Sequence, residues 1–207
     1  NIAPRVILTH PDLVEKLSLD AGSHLEHILL VQGPGPGLFP NETVVTGLAE
    51  QMDESCPAEA VEGDTPLYLI YTSGATRHPK GIMHTHRDMT GIAVSARWVL
   101  DLKAGTVLWT DAEPAWVTGT VYGALAPWLC GVSALASGAH FSAASWYRIL
   151  ETHKVSVWYT TPRVLRELMG AGEDLPTRYD LSQLRHIASV GAPLTPDLLY
   201  WVRDHLR

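Results

Sequence analysis

Five short apolar runs, at residues 67–71, 106–110, 133–137, 155–159 and 186–190, recur through the latter part of the chain, and stretches of helical periodicity separate them. Met89, Ile92, Ala93, Ala96, Val99 and Leu100 repeat at the spacing of one helix face, as do Trp146, Ile149, Leu150 and His153, and Val164, Leu165 and Leu168. Ser142 stands where it can cap the second of these helices. Thr161-Pro162 and Thr195-Pro196 each pair a capping hydroxyl with a proline at the first helical position, where its missing N–H costs nothing. Strands alternating with helices predict an α/β fold with a largely parallel sheet flanked by helices.

The first third of the chain is less regular. Residues 5–8 and 27–31 read as short strands with a helix over about 11–17 between them, and Gly33 to Gly37 ("GPGPG") interrupts regular structure. The acidic stretch that follows, with Glu50, Asp53, Glu54, Glu59, Glu62 and Asp64, reads as a solvated connector carrying a short helix near 44–52. This divides the chain into an N-terminal segment and connector, 1–66, and a central α/β unit, 67–207. The chain opens at Asn1 and ends at Arg207 within a helix-like run that has no stop signal, so the expectation is a piece of a longer protein.

Composition narrows the function. Of 207 residues, 46% are apolar and 18% charged, enough to bury a core. No apolar run reaches the roughly 20 residues that span a bilayer, and no secretory signal opens the chain, so no membrane partner is expected. The net charge is −7 and no Lys or Arg occurs between Lys16 and Arg77, which removes the basic stripe that nucleic acid needs. Cys56 and Cys130 lie far apart and in no metal-ligand spacing; they read as a loop thiol and a small core residue, in keeping with a reducing cytoplasm. Oligomeric state is not encoded in any feature of this kind.

The unusual residues follow the strands. Residues 67–71 run into "TSGATRHPKG", 106–110 into "DAEPAWVTG", 155–159 into "TTPR" and 186–190 into "GAPLTP". Open α/β sheets bind ligands outside the carboxyl ends of their strands, so these four segments are expected along one edge. In the first, Thr72, Ser73 and Thr76 supply hydroxyls, Gly74 allows close backbone approach, and Lys80 supplies a point charge suited to phosphate. The spacing is not that of a Walker loop. By itself the segment is equally an ordinary polar turn; its alignment with the other strand ends favours a phosphate loop. In the second, Trp116 followed by Val117, Thr118 and Gly119 can line a small apolar pocket, although a lone Trp116 reads as core. His84 and His86 would share one face of a strand without a third ligand nearby, which argues against zinc. No Ser-His-Asp triad or paired glycosidase carboxylates are evident.

These residues carry a resemblance. "YTSGATRHPKGIMHTH" is similar to the phosphate-loop signature of the adenylate-forming (AMP-binding) superfamily, and "AWVTGTVYG", "PWLCG", "VWYTTPRVLRELMGAGED" and "YDLSQLRHIASVGAPLTPD" resemble successive blocks of its acetyl-CoA synthetases. The likeness runs from about Asp64 to the C-terminus. It implies part of the large N-terminal domain of an acid–thiol ligase that joins a carboxylate to AMP using ATP and Mg2+, then transfers the acyl group to coenzyme A. Thr72, Ser73, Gly74, Thr76 and Lys80 would then form the phosphate loop. Trp116, Val117 and Thr118 would line the acyl and pantetheine side. Gly191 and Pro193 would border the adenine, with Ala192 matching by position only, where the family has glutamate. The "WVTG" motif favours a short acid such as acetate or propionate; a ligase for a longer acid is the alternative, since acyl length also depends on a tryptophan beyond Arg207.

The chain also departs from that pattern. Ala75 replaces a hydroxyl residue, Arg77 a glycine, His78 a lysine and Ala115 a glycine, and Arg163 stands in place of a small residue. The aromatic Thr-Glu segment, the ribose-binding aspartate, the hinge and the C-terminal domain with its catalytic lysine have no counterpart in these residues. No catalytic residue is therefore assigned within them, the 207 residues are expected to be inactive alone, and a degenerate adenylate-binding module remains the alternative to an enzyme.

Overall fold

The computed structural model describes residues 3–17, 24–45, 47–72 and 79–206. The chain divides into two units, Asn1–Ala60 and Val61–Arg207, so the last residues of the acidic connector belong with the second. In the first unit, β1 (Val6–Thr9), β2 (His27–Leu30) and β3 (Glu42–Val44) pair in that order, all parallel. A 3-10 helix, Pro11–Lys16, links β1 to the segment before β2 and contributes Val14 to a small core with Ile28 and Leu30. The helix expected near 44–52 is instead the end of β3 followed by a 3-10 turn, Ala49–Gln51. Val44 and Val45 are β-branched, and Gly47 sits at φ +90°, a conformation that ends a right-handed helix.

The second unit opens with an antiparallel hairpin of β4 (Pro66–Thr72) and β5 (Lys80–Thr85). This corrects one expectation: the strand at 67–71 pairs with β5 in a sheet of its own and is not hydrogen-bonded into the parallel sheet. The short connection between Thr72 and Lys80 makes the β4–β5 pairing antiparallel, because a parallel crossover needs about a dozen residues or more. α1 (Met89–Trp98) follows the hairpin.

The parallel sheet contains β6 (Val107–Thr110), β7 (Ser133–Leu135), β8 (Val157–Thr160) and β9 (His186–Ser189) in the order β7-β6-β8-β9. A π-helical stretch, Thr118–Leu125, and α2 (Ala126–Cys130) connect β6 to β7. α3 (Ala143–Thr152), α4 (Pro162–Gly170) and α5 (Pro196–His205) follow β7, β8 and β9. Ser142 and Thr161 cap as expected, accepting from the amides of Ser145 (3.1 Å) and Val164 (3.3 Å), whereas Thr195 stands at the start of α5 without such a bond.

Alternation along the strands assigns each face its layer. Trp109 and Trp158 are cross-strand neighbours, 1% and 0% exposed, stacked with ring centroids 5.7 Å apart. They pack with Trp146, Tyr147 and Leu150 of α3, Leu165 and Leu168 of α4, and Leu198 and Trp201 of α5. Leu108 and Val157, one residue earlier on each strand, point to the opposite face, where Ala96 of α1, Leu100 and Ala126 of α2 meet them. With both faces covered by apolar side chains, polar chemistry is left to the strand ends.

Candidate active site

The carboxyl ends of β6, β8 and β9 share one rim, with Thr110 paired to Tyr159 and Thr160 paired to Ser189. The chain leaves β6 towards β7 on one side and leaves β8 towards β9 on the other. The crevice between the ends of β6 and β8 is thus the topological switch point, where doubly wound sheets admit ligands.

The segment after β6 forms one wall of this rim. The Trp116 amide donates to the Glu113 carbonyl (2.9 Å) and the Thr120 amide to the Trp116 carbonyl (3.0 Å), while the Thr120 hydroxyl bonds to the Pro114 carbonyl. Gly119 is indispensable to this turn, because a Cβ there would stand 2.1 Å from the Glu113 carbonyl oxygen. Trp116 and Val117 are 39% and 41% exposed, whereas Thr118 is buried at 2% and turned into the packed interior.

The segment after β9 supplies the facing wall. The Val190 amide donates to the Thr160 carbonyl (3.0 Å), and Gly191 then turns at φ +92°. A Cβ on Gly191 would lie 3.2 Å from Cη2 of Trp116, so the indole is seated directly against its bare backbone. Two segments 75 residues apart in sequence, at Trp116 and Gly191, are thereby brought into contact. Ala192 and Pro193 follow, both exposed.

Of the phosphate-loop candidates, Ser73, Gly74 and Thr76 lie outside the described residues, as do Ala75, Arg77 and His78. Thr72 and Lys80 are described. They are directly paired across the hairpin, both exposed, and bracket the segment between them. Beneath them on the same face, the Tyr68 and His84 rings stack at 4.7 Å.

One residue of this rim carries no signal in the sequence motifs. Asp111, the first residue after β6, accepts hydrogen bonds on Oδ2 from Trp146 Nε1 (2.9 Å) and the Thr160 hydroxyl (2.8 Å). Its other oxygen, Oδ1, is enclosed without a partner among the described residues. Burial pushes the carboxyl pKa above its ordinary value, and the two donors offset that in part. An acid placed at the end of a largely apolar strand is the one sequence cue that could have singled it out.

Two open cavities lie elsewhere. One of about 610 Å³ in the first unit is bordered by Arg5 and Glu26. Another, of about 370 Å³, is an apolar groove among Leu67, Met89, Leu125 and Trp128. Neither is lined by a residue of the rim. Among the described residues no group of three or more His, Cys, Asp or Glu side chains is placed to hold a metal ion, and no helix is long and apolar enough to cross a membrane.

The AMP-binding enzyme family profile matches residues 2–207. The chain is 40% identical over 201 residues to an acetyl-coenzyme A synthetase of Bacillus subtilis, covering 97% of this chain and 35% of that protein. It is 35% identical over 194 residues to that of Chromobacterium violaceum, covering 90% and 30%. Among solved structures, an acyl-CoA synthetase of Brucella canis superposes with a TM-score of 0.86 at 24% identity, over 98% of this chain and 36% of that one. An anthranilate CoA ligase in complex with anthranoyl-AMP superposes with a TM-score of 0.81 at 25% identity, over 97% and 39%. The chain thus spans about a third of the length of the curated relatives it matches. With the family profile matched over nearly its whole length, the chain belongs to the AMP-binding enzyme family.

Proposed function

We propose that, within a longer protein, this chain forms part of a cytoplasmic acid–thiol ligase that activates a short carboxylate, acetate foremost, as its adenylate and transfers the acyl group to coenzyme A. The observation that carries the reading is the seating of Trp116 against Gly191, which joins the segment assigned to the acyl group with the segment assigned to the adenine. Both relatives named above carry the name acetyl-coenzyme A synthetase, which supports acetate.

In this reading the exposed pair Thr72 and Lys80 anchors the loop that holds the triphosphate, together with Ser73, Gly74 and Thr76. Lys80 offsets charge on the phosphates, and the loop hydroxyls and amides orient the α-phosphorus towards the carboxylate oxygen. Trp116 and Val117 form the apolar wall that excludes water and limits the acyl chain. Gly191, with Ala192 and Pro193, borders the adenine, and its missing Cβ is what lets the Trp116 indole close against this wall. Mg2+ would enter with ATP and offset charge on its phosphates; among the described residues no group of three or more His, Cys, Asp or Glu side chains is placed to hold it. ATP, the carboxylate and coenzyme A are the partners; neither nucleic acid nor a membrane takes part.

ATP–pyrophosphate exchange on the full-length protein tests this. Exchange dependent on acetate, with slower exchange on butyrate, is the expected result, and residues 1–207 alone should give none. Full-length protein that binds an acetyl-adenylate mimic without exchange or thioester formation would instead identify a degenerate adenylate-binding module. A preference for longer acids would replace acetate as the substrate.

A further inference from the structure

Asp111 occupies the switch point itself. It begins the loop that leaves β6, and a single oxygen, Oδ2, receives the Trp146 indole N–H from α3 and the Thr160 hydroxyl from the end of β8. Three elements are thus tied at one atom. Trp146 and Thr160 are 7% and 1% exposed, so these bonds are shielded from competing water.

The loop that starts at Asp111 is closed at its far end by Gly119 and Thr120, which pack and bond against the carbonyls of Glu113 and Pro114. The Trp116 amide bonds back to Glu113 within the same turn. These bonds tie the turn together internally. Its rear is fixed by the π-helical stretch and its front by Asp111, and between them it carries the indole that rests on Gly191.

We infer that Asp111 is a positioning residue: by holding the front of the 111–119 loop to β8 and α3, it sets the seat of Trp116 on Gly191 and hence the size of carboxylate admitted beside it. This rests on the reading of that rim as the acyl-adenylate site. The carboxyl does not touch the substrate and acts through Trp116.

Because both donors converge on one oxygen, an asparagine can accept both through its own Oδ1, whereas alanine accepts neither. The test compares Asp111→Ala, Asp111→Asn and Thr160→Val in the full-length protein. The first readout is KM and kcat for acetate and butyrate in ATP–pyrophosphate exchange. The second is the 19F spectrum of protein labelled with 5-fluorotryptophan, with the Trp116 resonance assigned from Trp116→Phe. Asp111→Ala should raise KM for acetate about tenfold, change kcat much less, and narrow the preference for acetate over butyrate. It should also move the Trp116 resonance and leave that of Trp158 in place. Asp111→Asn should restore both readouts, and Thr160→Val, which removes one of the two donors, should fall between.

An Asp111→Ala protein with wild-type KM and an unmoved Trp116 resonance overturns the inference, whatever its melting temperature. So does an Asp111→Asn protein as impaired as the alanine variant. If Asp111→Ala does not fold, an unmoved Trp116 resonance in Thr160→Val overturns it and a displaced one supports it. Absence of exchange in the wild-type protein would count against the acyl-adenylate reading alone, because the displacement of Trp116 is read independently of turnover.

Discussion

Replacing Gly191 by alanine should act twice on one contact, and the two effects can be separated. The backbone at Gly191 has φ +92°, beyond the left-handed region that L-residues tolerate, and placing a side chain there costs about 1–2 kcal/mol. The new Cβ would also stand 3.2 Å from Cη2 of Trp116, so the ring must retreat by a few tenths of an ångström, at a cost of about 0.5–1 kcal/mol. The sum, about 1.5–3 kcal/mol, corresponds to a fall of about 3–12 °C in the melting transition that contains this unit. Affinity for an acetyl-adenylate mimic should fall as well, since both walls of the rim shift. A double-mutant cycle with Trp116→Ala divides the terms: without the indole, the conformational cost remains and the contact cost disappears. Differential scanning calorimetry of the four proteins, with titration of the mimic, provides the measurement. If Gly191→Ala melts with the wild type in both backgrounds and binds the mimic equally well, the close approach of Trp116 to bare backbone is not a working feature of the rim.

Two further outcomes follow from the core and from Asp111. Leu168 of α4 is fully buried among Leu165, Leu198 and Trp158, so Leu168→Ala should lose about 2–5 kcal/mol in chemical denaturation, while KM for ATP and carboxylate stays as in the wild type. The folded-state pKa of Asp111 lies above its ordinary value of 3.8 through burial, so its contribution to stability is fully present below that value and is lost as pH rises through the folded pKa. Asp180 and Asp197, whose pKa values are lowered by hydrogen bonds, change stability in the opposite sense, so the measurement is a difference: wild type relative to Asp111→Asn should lose melting temperature as pH rises from about 4 to about 7. A constant difference would place the Asp111 pKa at its ordinary value.

The centre of the parallel sheet was legible in the sequence because β6 and β8 are buried on both faces and therefore appear as largely apolar runs. Trp109 and Leu108 go to opposite layers, yet in a linear reading they are simply neighbours in one run. β5 was hidden because Pro79-Lys80-Gly81 looks like the end of a loop, although Lys80 already pairs with Thr72. β3 is three residues long and leaves no period to detect. The rim was legible in part. Trp116 and Gly191 each stood out by residue type, but their contact depends on how far the turn locked by Gly119 projects, which no local pattern encodes. Thr118 was grouped with Trp116 and Val117 by adjacency, and the π-helical start turns it inward. Asp111 was passed over because its meaning lies in Trp146 and Thr160, 35 and 49 residues away.

That separation also explains how the rim can be both precise and tolerant of change. A wall made only of loop would follow every substitution within it, and a wall made only of strand could not project beyond the sheet. Here the projecting indole belongs to a loop, but the loop's two attachments belong to rigid parts: a carboxylate held between β8 and α3 at the front, and a glycine packed against carbonyl oxygen at the rear. A substitution at an exposed position such as Ala115 acts on neither attachment. A change at Asp111 or Gly119 acts on one of them and tilts the whole wall. Specificity in this protein should therefore be governed more by Asp111 and Gly119 than by the exposed residues that a ligand would touch first.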